Sequence, residues 1–235
     1  MYNLIRLEIL KYRLRPWHRA AVGCGIALIA FQYFMAAIPY LDPSEGDSAL
    51  FASYDFLISL NHILGTAMFT ILGSVMGARL IVEAYGDKKA VLLFSYPVSR
   101  KRILGGKLLI VFAYPTAAMA VWGLVSDGLF FFTEQIFPIC RDQLTVQILF
   151  TAFISLICHC VIAGALGIQA TWLGFIKKSV SAAIVSSVIL ATVICQVLSA
   201  GISFWPTAAL TAVICIAGAG AAGADLGRRV QNMEV

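Results

Sequence analysis

The chain has 235 residues, of which 60% are hydrophobic and only 12% charged, with a net charge of +5. A soluble domain carries about 25% charged residues, so this composition excludes an ordinary water-soluble fold and calls for lipid as solvent. The basic excess does not point to nucleic acid, because the charges flank apolar runs, where anionic headgroups account for them.

The chain opens MYNLIRLEILKYRLRPW, alternating apolar and basic residues over positions 1–19. Leu4, Ile5, Ile9 and Tyr12 share a helical stripe, with Arg6, Glu8 and Arg13 largely elsewhere. That pattern predicts a helix lying on the inner membrane surface. Pro16 ends it and Trp17 sits at the interface. Apolar runs then predict six spans, at residues 20–40, 56–80, 103–126, 144–173, 180–199 and 207–224, each near or above the ~20 residues that cross a bilayer. The expected fold is an all-α polytopic membrane protein, with residues 1–235 forming a single transmembrane domain.

Every Lys and Arg except Arg141 then falls on the side that carries both termini. The positive-inside bias makes that side cytoplasmic, in the inner or plasma membrane of a prokaryote. Asp42, Glu45, Asp47, Asp55, Asp127, Glu134 and Asp142 fall in loops on the opposite side. Of those loops, residues 127–143 form the longer one, and residues 201–206 hold Trp205 and Pro206 as interface anchor and helix start.

Polar residues at membrane depth are Gln32, Asn61, His62, His159, Gln169 and Gln196. Such groups face the protein interior or a wet cavity. Gln32, Asn61, His62 and Gln196 are the candidates for a substrate path, and each can equally serve as a helix–helix hydrogen bond. Gly73 and Gly77 form a GxxxG, and Gly218, Gly220 and Gly223 crowd the last span, which permits close helix contact, most simply within one subunit. Pro115 removes a backbone hydrogen bond and kinks the third span. Of the six cysteines only Cys140 falls outside the spans, so no disulfide framework is expected. Cys158, His159 and Cys160 are adjacent on a helix and point in different directions, so they cannot close a metal site by themselves.

Residues 83–107, EAYGDKKAVLLFSYPVSRKRILGGK, interrupt the apolar pattern. Arg79 and Glu83 are spaced i, i+4 and can pair as the second span leaves the membrane. Asp87 is an N-cap candidate, residues 88–95 read as a short helix, and Pro97 stops it. Val91, Leu92 and Phe94 are too apolar for a free loop, so a surface must cover them. Ser99 caps the third span, and Arg100, Lys101, Arg102 and Lys107 lie at headgroup level.

These residues resemble the permease subunits of ABC-2 type exporters. The likeness rests on Glu83 after the second span, the short helix Ala90-Val91-Leu92-Leu93-Phe94-Ser95, the turn Tyr96-Pro97-Val98-Ser99-Arg100, and Gly106-Lys107. The leader, with Glu8, Lys11 and Arg13, is similar to small permeases of lantibiotic-immunity and bacitracin-type exporters. The resemblance implies that residues 88–96 are a cytoplasmic coupling helix docked on an ATPase subunit. Lys88, Val91, Leu92, Phe94, Ser95, Tyr96 and Pro97 would make the contact, and residues 4–15 would be an elbow helix. It also implies a second permease subunit, identical or homologous, and an amphipathic peptide, such as a peptide antibiotic, or a lipophilic compound as cargo. The family's larger outer element between spans five and six has little room in residues 201–206.

No ATPase motif is expected in this chain. A phosphate-cradling loop needs Gly-x-x-x-x-Gly-Lys-Ser/Thr. Gly106-Lys107 is preceded at the first position by Lys101 and followed by Leu108. ATP and Mg would therefore bind the partner, with no cofactor in this chain. Two rival readings remain: the substrate-binding membrane component of an energy-coupled uptake transporter, and a membrane-embedded enzyme.

Overall fold

A computed structural model describes residues 15–41, 51, 53–85, 100–137, 139–140, 145–202 and 205–232. The elbow helix short of Arg15, Asp87, Ser99, Arg141 and the coupling residues Lys88, Val91, Leu92, Phe94, Ser95, Tyr96 and Pro97 lie outside the described residues.

The described residues are mostly helical, with no strand among them. We label the helices α1 (Arg15–Leu41), α2 (Tyr54–Gly77), α3 (Arg100–Ile136), α4 (Val146–Ile176), α5 (Val180–Ala200) and α6 (Trp205–Gln231). A π-helical segment, Ala78–Val82, prolongs α2. Six helices are long and apolar enough to cross a membrane. Such segments satisfy their backbone polar groups internally, which is what a spanning chain in lipid requires. The protein is therefore an all-α, multi-pass membrane protein.

The six spans lie where the apolar runs place them, but three ends move by five residues or more, the last being the end of α6, which runs to Gln231 rather than residue 224. Arg15, Pro16 and Trp17 belong to α1. Pro16 sits in the first turn of α1, where its missing N–H is not needed. The third helix runs on to Ile136, ten residues past the expected end at Ser126. Asp127 and Glu134 are therefore not loop residues but buried helix residues.

Helices α2 and α4 form the centre. The first packs against α1, α3, α4 and α5, and the second against α2, α3, α5 and α6. Small residues bring them together. A Cβ added at Gly167 would lie 3.5 Å from the Gly73 backbone, and one at Gly77 would overlap the Thr171 side chain. The GxxxG of α2 is thus a packing face within the chain. Pro115 of α3 lies against the same glycine: its Cγ would be 3.0 Å from a Cβ on Gly73. Large apolar side chains such as Ile26, Phe34, Val121, Phe150, Ile189 and Val213 are exposed on the outer faces, where lipid contacts them.

Polar ties fix the register of the helices. Ser74 Oγ donates to the Ala183 carbonyl at 2.9 Å, joining α2 to α5. Gln169 Nε2 donates to the Cys215 carbonyl at 2.9 Å, joining α4 to α6. Between α4 and α5 the chain turns at Lys178, in the left-handed region at φ 48°. Lys178 N–H donates to Phe175 O and Ser179 N–H to Gly174 O, which closes the helix end with a Schellman turn.

The buried small-residue seam makes a direct prediction. Gly77→Ala overpacks against Thr171, which is fully buried, and is expected to cost about 1–3 kcal/mol. Gly220→Ala meets nothing within 4 Å and is expected to leave stability unchanged or improve it by up to about 1 kcal/mol. Thermal unfolding of the two variants in the same detergent checks the contrast.

Candidate functional site

The bundle has two ends. The basic end carries residues 83–107, and the distal end holds the helix termini at Leu41, Tyr54, Ile136, Val146, Ala200 and Trp205. Between them, α1 to α4 converge on a buried polar junction. Helix α1 supplies Gln32, α2 supplies Asn61 and His62, α3 supplies Ser126 and Asp127, and α4 supplies Ser155 and His159. None is more than 8% exposed. Consecutive helical residues point about 100° apart. Asn61 and Ser126 therefore turn towards α1, while their neighbours His62 and Asp127 turn towards α4.

The α1 side is a closed amide–hydroxyl triangle. Asn61 Nδ2 donates to Gln32 Oε1 at 3.1 Å and to Ser126 Oγ at 3.1 Å, and Ser126 Oγ donates to Gln32 Oε1 at 2.5 Å. The α4 side is a chain. His62 Nε2 lies 2.9 Å from Asp127 Oδ2, and His62 Nδ1 lies 3.1 Å from Ser155 Oγ. His159 Nδ1 is 2.8 Å from the Ser155 carbonyl and 3.4 Å from Ser155 Oγ. The rings of His62 and His159 are 5.6 Å apart.

Partners assign the tautomers. A carbonyl only accepts, so His159 Nδ1 carries the hydrogen and Nε2 is bare. A carboxylate also only accepts, so His62 donates from Nε2, which leaves Nδ1 to accept the Ser155 hydroxyl. Among the described residues, His159 Nε2 and Asp127 Oδ1 have no hydrogen-bond partner.

A cavity of about 50 Å³ reaches this chain from the distal end. Its polar lining is Asp55, Ser59, Thr151, Ser155, His159 and Thr207. The space suits a water or two rather than an organic substrate. Ser155, His62 and Asp127 have the residue types of a hydrolytic triad, but Ser155 sits inside α4. The backbone N–H groups around it serve the helix ladder and cannot form an oxyanion hole. Among the described residues no group of three His, Cys, Asp or Glu is arranged to hold a metal ion.

Of the four residues expected along a substrate path, three come together: Gln32 and Asn61 bond directly, and His62 lies beside them. Gln196 does not join them. It is exposed on α5 and lines a lateral apolar groove of about 340 Å³ with Phe31, Leu60, Leu64, Val188 and Cys195. Asp127, Ser126 and Ser155 were not expected in the site. The signal for the first two was the apolar run Leu129-Phe130-Phe131-Phe132, which carries α3 past the charge.

Towards the distal end, Glu134 closes the neighbouring helix ends. Its carboxylate accepts from Tyr54 Oη at 2.9 Å and from the backbone N–H of Ile139 and Cys140 at 3.0 and 3.2 Å. At the basic end, Arg79 and Glu83 are both exposed where α2 terminates, and Glu83 N–H donates to Ala78 O in the π pattern. Lys107, expected to anchor at headgroup level, is fully buried within the bundle, with Nζ 5.1 Å from the centre of the Tyr85 ring. Tyr85 is itself buried, in edge contact with Phe175 of α4 at 6.1 Å. A cation over an aromatic face is attracted by the ring quadrupole, more so where water is excluded.

Removing His62 leaves Asp127 without the group that holds it. His62→Leu is expected to destabilise the protein by about 3–5 kcal/mol, the cost of breaking a buried pair from one side. Adding Asp127→Leu removes the stranded carboxylate and is expected to restore more than half of the loss. Denaturation of the single and double variants in mixed micelles gives the coupling energy; additive losses would count against the pair.

No protein-family model matches the chain, and no solved structure matches it. It is similar to an uncharacterized protein, YcbO, of Bacillus subtilis (strain 168), with 27% identity over 192 residues, which cover 82% of each chain.

Proposed function

We propose that the chain is the membrane-spanning permease subunit of an ATP-driven ABC exporter that moves an amphipathic peptide or lipophilic compound outward. The observation that carries this reading is how residues 86–99 are footed. On one side stands Tyr85, buried at the end of the α2 continuation; on the other stands α3, gripped by the fully buried Lys107. Lys107 and Tyr85 meet each other, and Tyr85 meets α4 through Phe175. In this reading a push on this stretch enters α2 and α3 where Tyr85 and Lys107 meet. Helix α2 in turn touches α1, α3, α4 and α5.

In this reading the basic end is cytoplasmic. A partner ATPase binds ATP and Mg, engages Lys88, Val91, Leu92, Phe94, Ser95, Tyr96 and Pro97, and displaces that stretch. Arg79 and Glu83 flank the contact on its α2 side. The moving helices shift against a second permease subunit, identical or homologous, and open a path between them. Polar side chains that cross-link α1 to α4 at the junction decide which helices move as one body.

Docking and transmission separate experimentally. Leu92→Asp combined with Phe94→Asp is expected to weaken binding of the ATPase encoded by a neighbouring gene by about 2 kcal/mol, roughly thirtyfold. Tyr85→Ala is expected to retain that binding while lowering ATP-dependent export. Co-purification and vesicle transport report the two effects; unchanged complex and export in the double variant contradict the reading.

A further inference from the structure

The buried chain His159–Ser155–His62–Asp127 is directional, and we infer that it is a proton relay that loads Asp127 from the distal cavity. The inference does not depend on the exporter reading, since it uses only the junction and the cavity.

Each hydrogen in the chain has one place to go. His159 lines the cavity with Ser155, and its remaining polar atom, the bare Nε2, is closed off behind the cavity wall. Loading therefore begins with an opening of the wall at His159, after which a hydronium gives its proton to Nε2. His159 then releases the Nδ1 hydrogen to Ser155 Oγ, 3.4 Å away. Ser155 passes its own hydroxyl hydrogen to His62 Nδ1 at 3.1 Å, and His62 passes its Nε2 hydrogen to Asp127 Oδ2 at 2.9 Å. The products are water, a neutral His159, Ser155 and His62, and a protonated Asp127. One positive charge has entered and one buried negative charge has gone. The three bonds of the chain survive with donor and acceptor exchanged.

Loading leaves a bare His159 Nδ1 against the Ser155 carbonyl, where the two lone pairs face each other. That mismatch and the 3.4 Å gap place the slow step at His159 and Ser155. A neutral Asp127 no longer attracts His62 as a carboxylate does, so loading loosens the tie between α2 and α3.

The surroundings of Asp127 hold few competing groups. On the α1 side its neighbour Ser126 meets the neutral Gln32, and from α2 Asp127 meets His62. From α4 come His159 and Cys160, the latter within electrostatic range. On α3 itself Glu134 lies two turns further on, already accepting from Tyr54 and two backbone N–H groups. Asp55 stands in the cavity wall. The charged residues of α6, Asp225, Arg228 and Arg229, lie in its last turns, at the opposite end of the bundle, as does Lys107.

Infrared difference spectroscopy of the full chain in lipid nanodiscs, recorded after an acid pH jump, tests the relay. A protonated-carboxyl band is expected that is missing in Asp127→Asn and kept in Glu134→Gln. Ser155→Ala is expected to slow its rise about tenfold, the rate equivalent of one lost hydrogen bond. Ser155→Thr restores the hydroxyl and is expected to restore the rate, which separates relay from packing. His159→Phe is expected to slow the rise at least as much. A band that persists in Asp127→Asn, or a rise unchanged in both Ser155→Ala and His159→Phe, overturns the proposal.

Discussion

A polar side chain surrounded by lipid must find its partners within the chain, because no water is there to supply them. The pair His62–Asp127 is where that constraint acts most strongly here. It joins α2 to α3 at 2.9 Å, and through Ser155 it brings in α4. One residue earlier on each helix, Asn61 and Ser126 reach Gln32 and bring in α1. Four helices are thus keyed at one level, and the small-residue contacts and apolar clusters fill the space above and below.

The two ends are held by different chemistry. At the distal end a carboxylate, Glu134, gathers a tyrosine hydroxyl and two backbone N–H groups. At the basic end an ammonium, Lys107, is enclosed against the Tyr85 ring. From Tyr85 to His62 is 23 residues along one nearly continuous helical path, roughly 35 Å at 1.5 Å per residue. The basic end and the junction are thus joined by α2 and its π-helical continuation. The distal cavity, lined by Ser155 and His159, lies beyond the junction on that path.

Much of this was legible in the sequence. Run lengths alone locate the six helices, because apolar length is what lipid selects. The close approach at Gly73 and Gly77 follows from residue size. What could not be read was azimuth. These helices are apolar nearly all round, so periodicity does not say which face is inward. Gln32 and Gln196 look alike in sequence, yet one is 1% exposed and the other faces a lateral groove. Asp127 was assigned to a loop because a charge at the edge of an apolar run marks a span end, and a partner on another helix is invisible locally. Lys107 follows the same pattern: near a span start it reads as a headgroup anchor, and the Tyr85 ring across the interface is a contact that local sequence does not show.

The central claim is that the junction is one directional hydrogen-bond chain ending on Asp127. Nitrogen-15 NMR of histidine-labelled protein in lipid at neutral pH, with His18→Gln to remove the third histidine, tests it most directly. The account predicts His62 with hydrogen on Nε2 and bare Nδ1, and His159 with the opposite tautomer. It also predicts that Asp127→Asn shifts the His62 Nε2 resonance. His159 carrying its hydrogen on Nε2, or a His62 signal indifferent to Asp127→Asn, would contradict it.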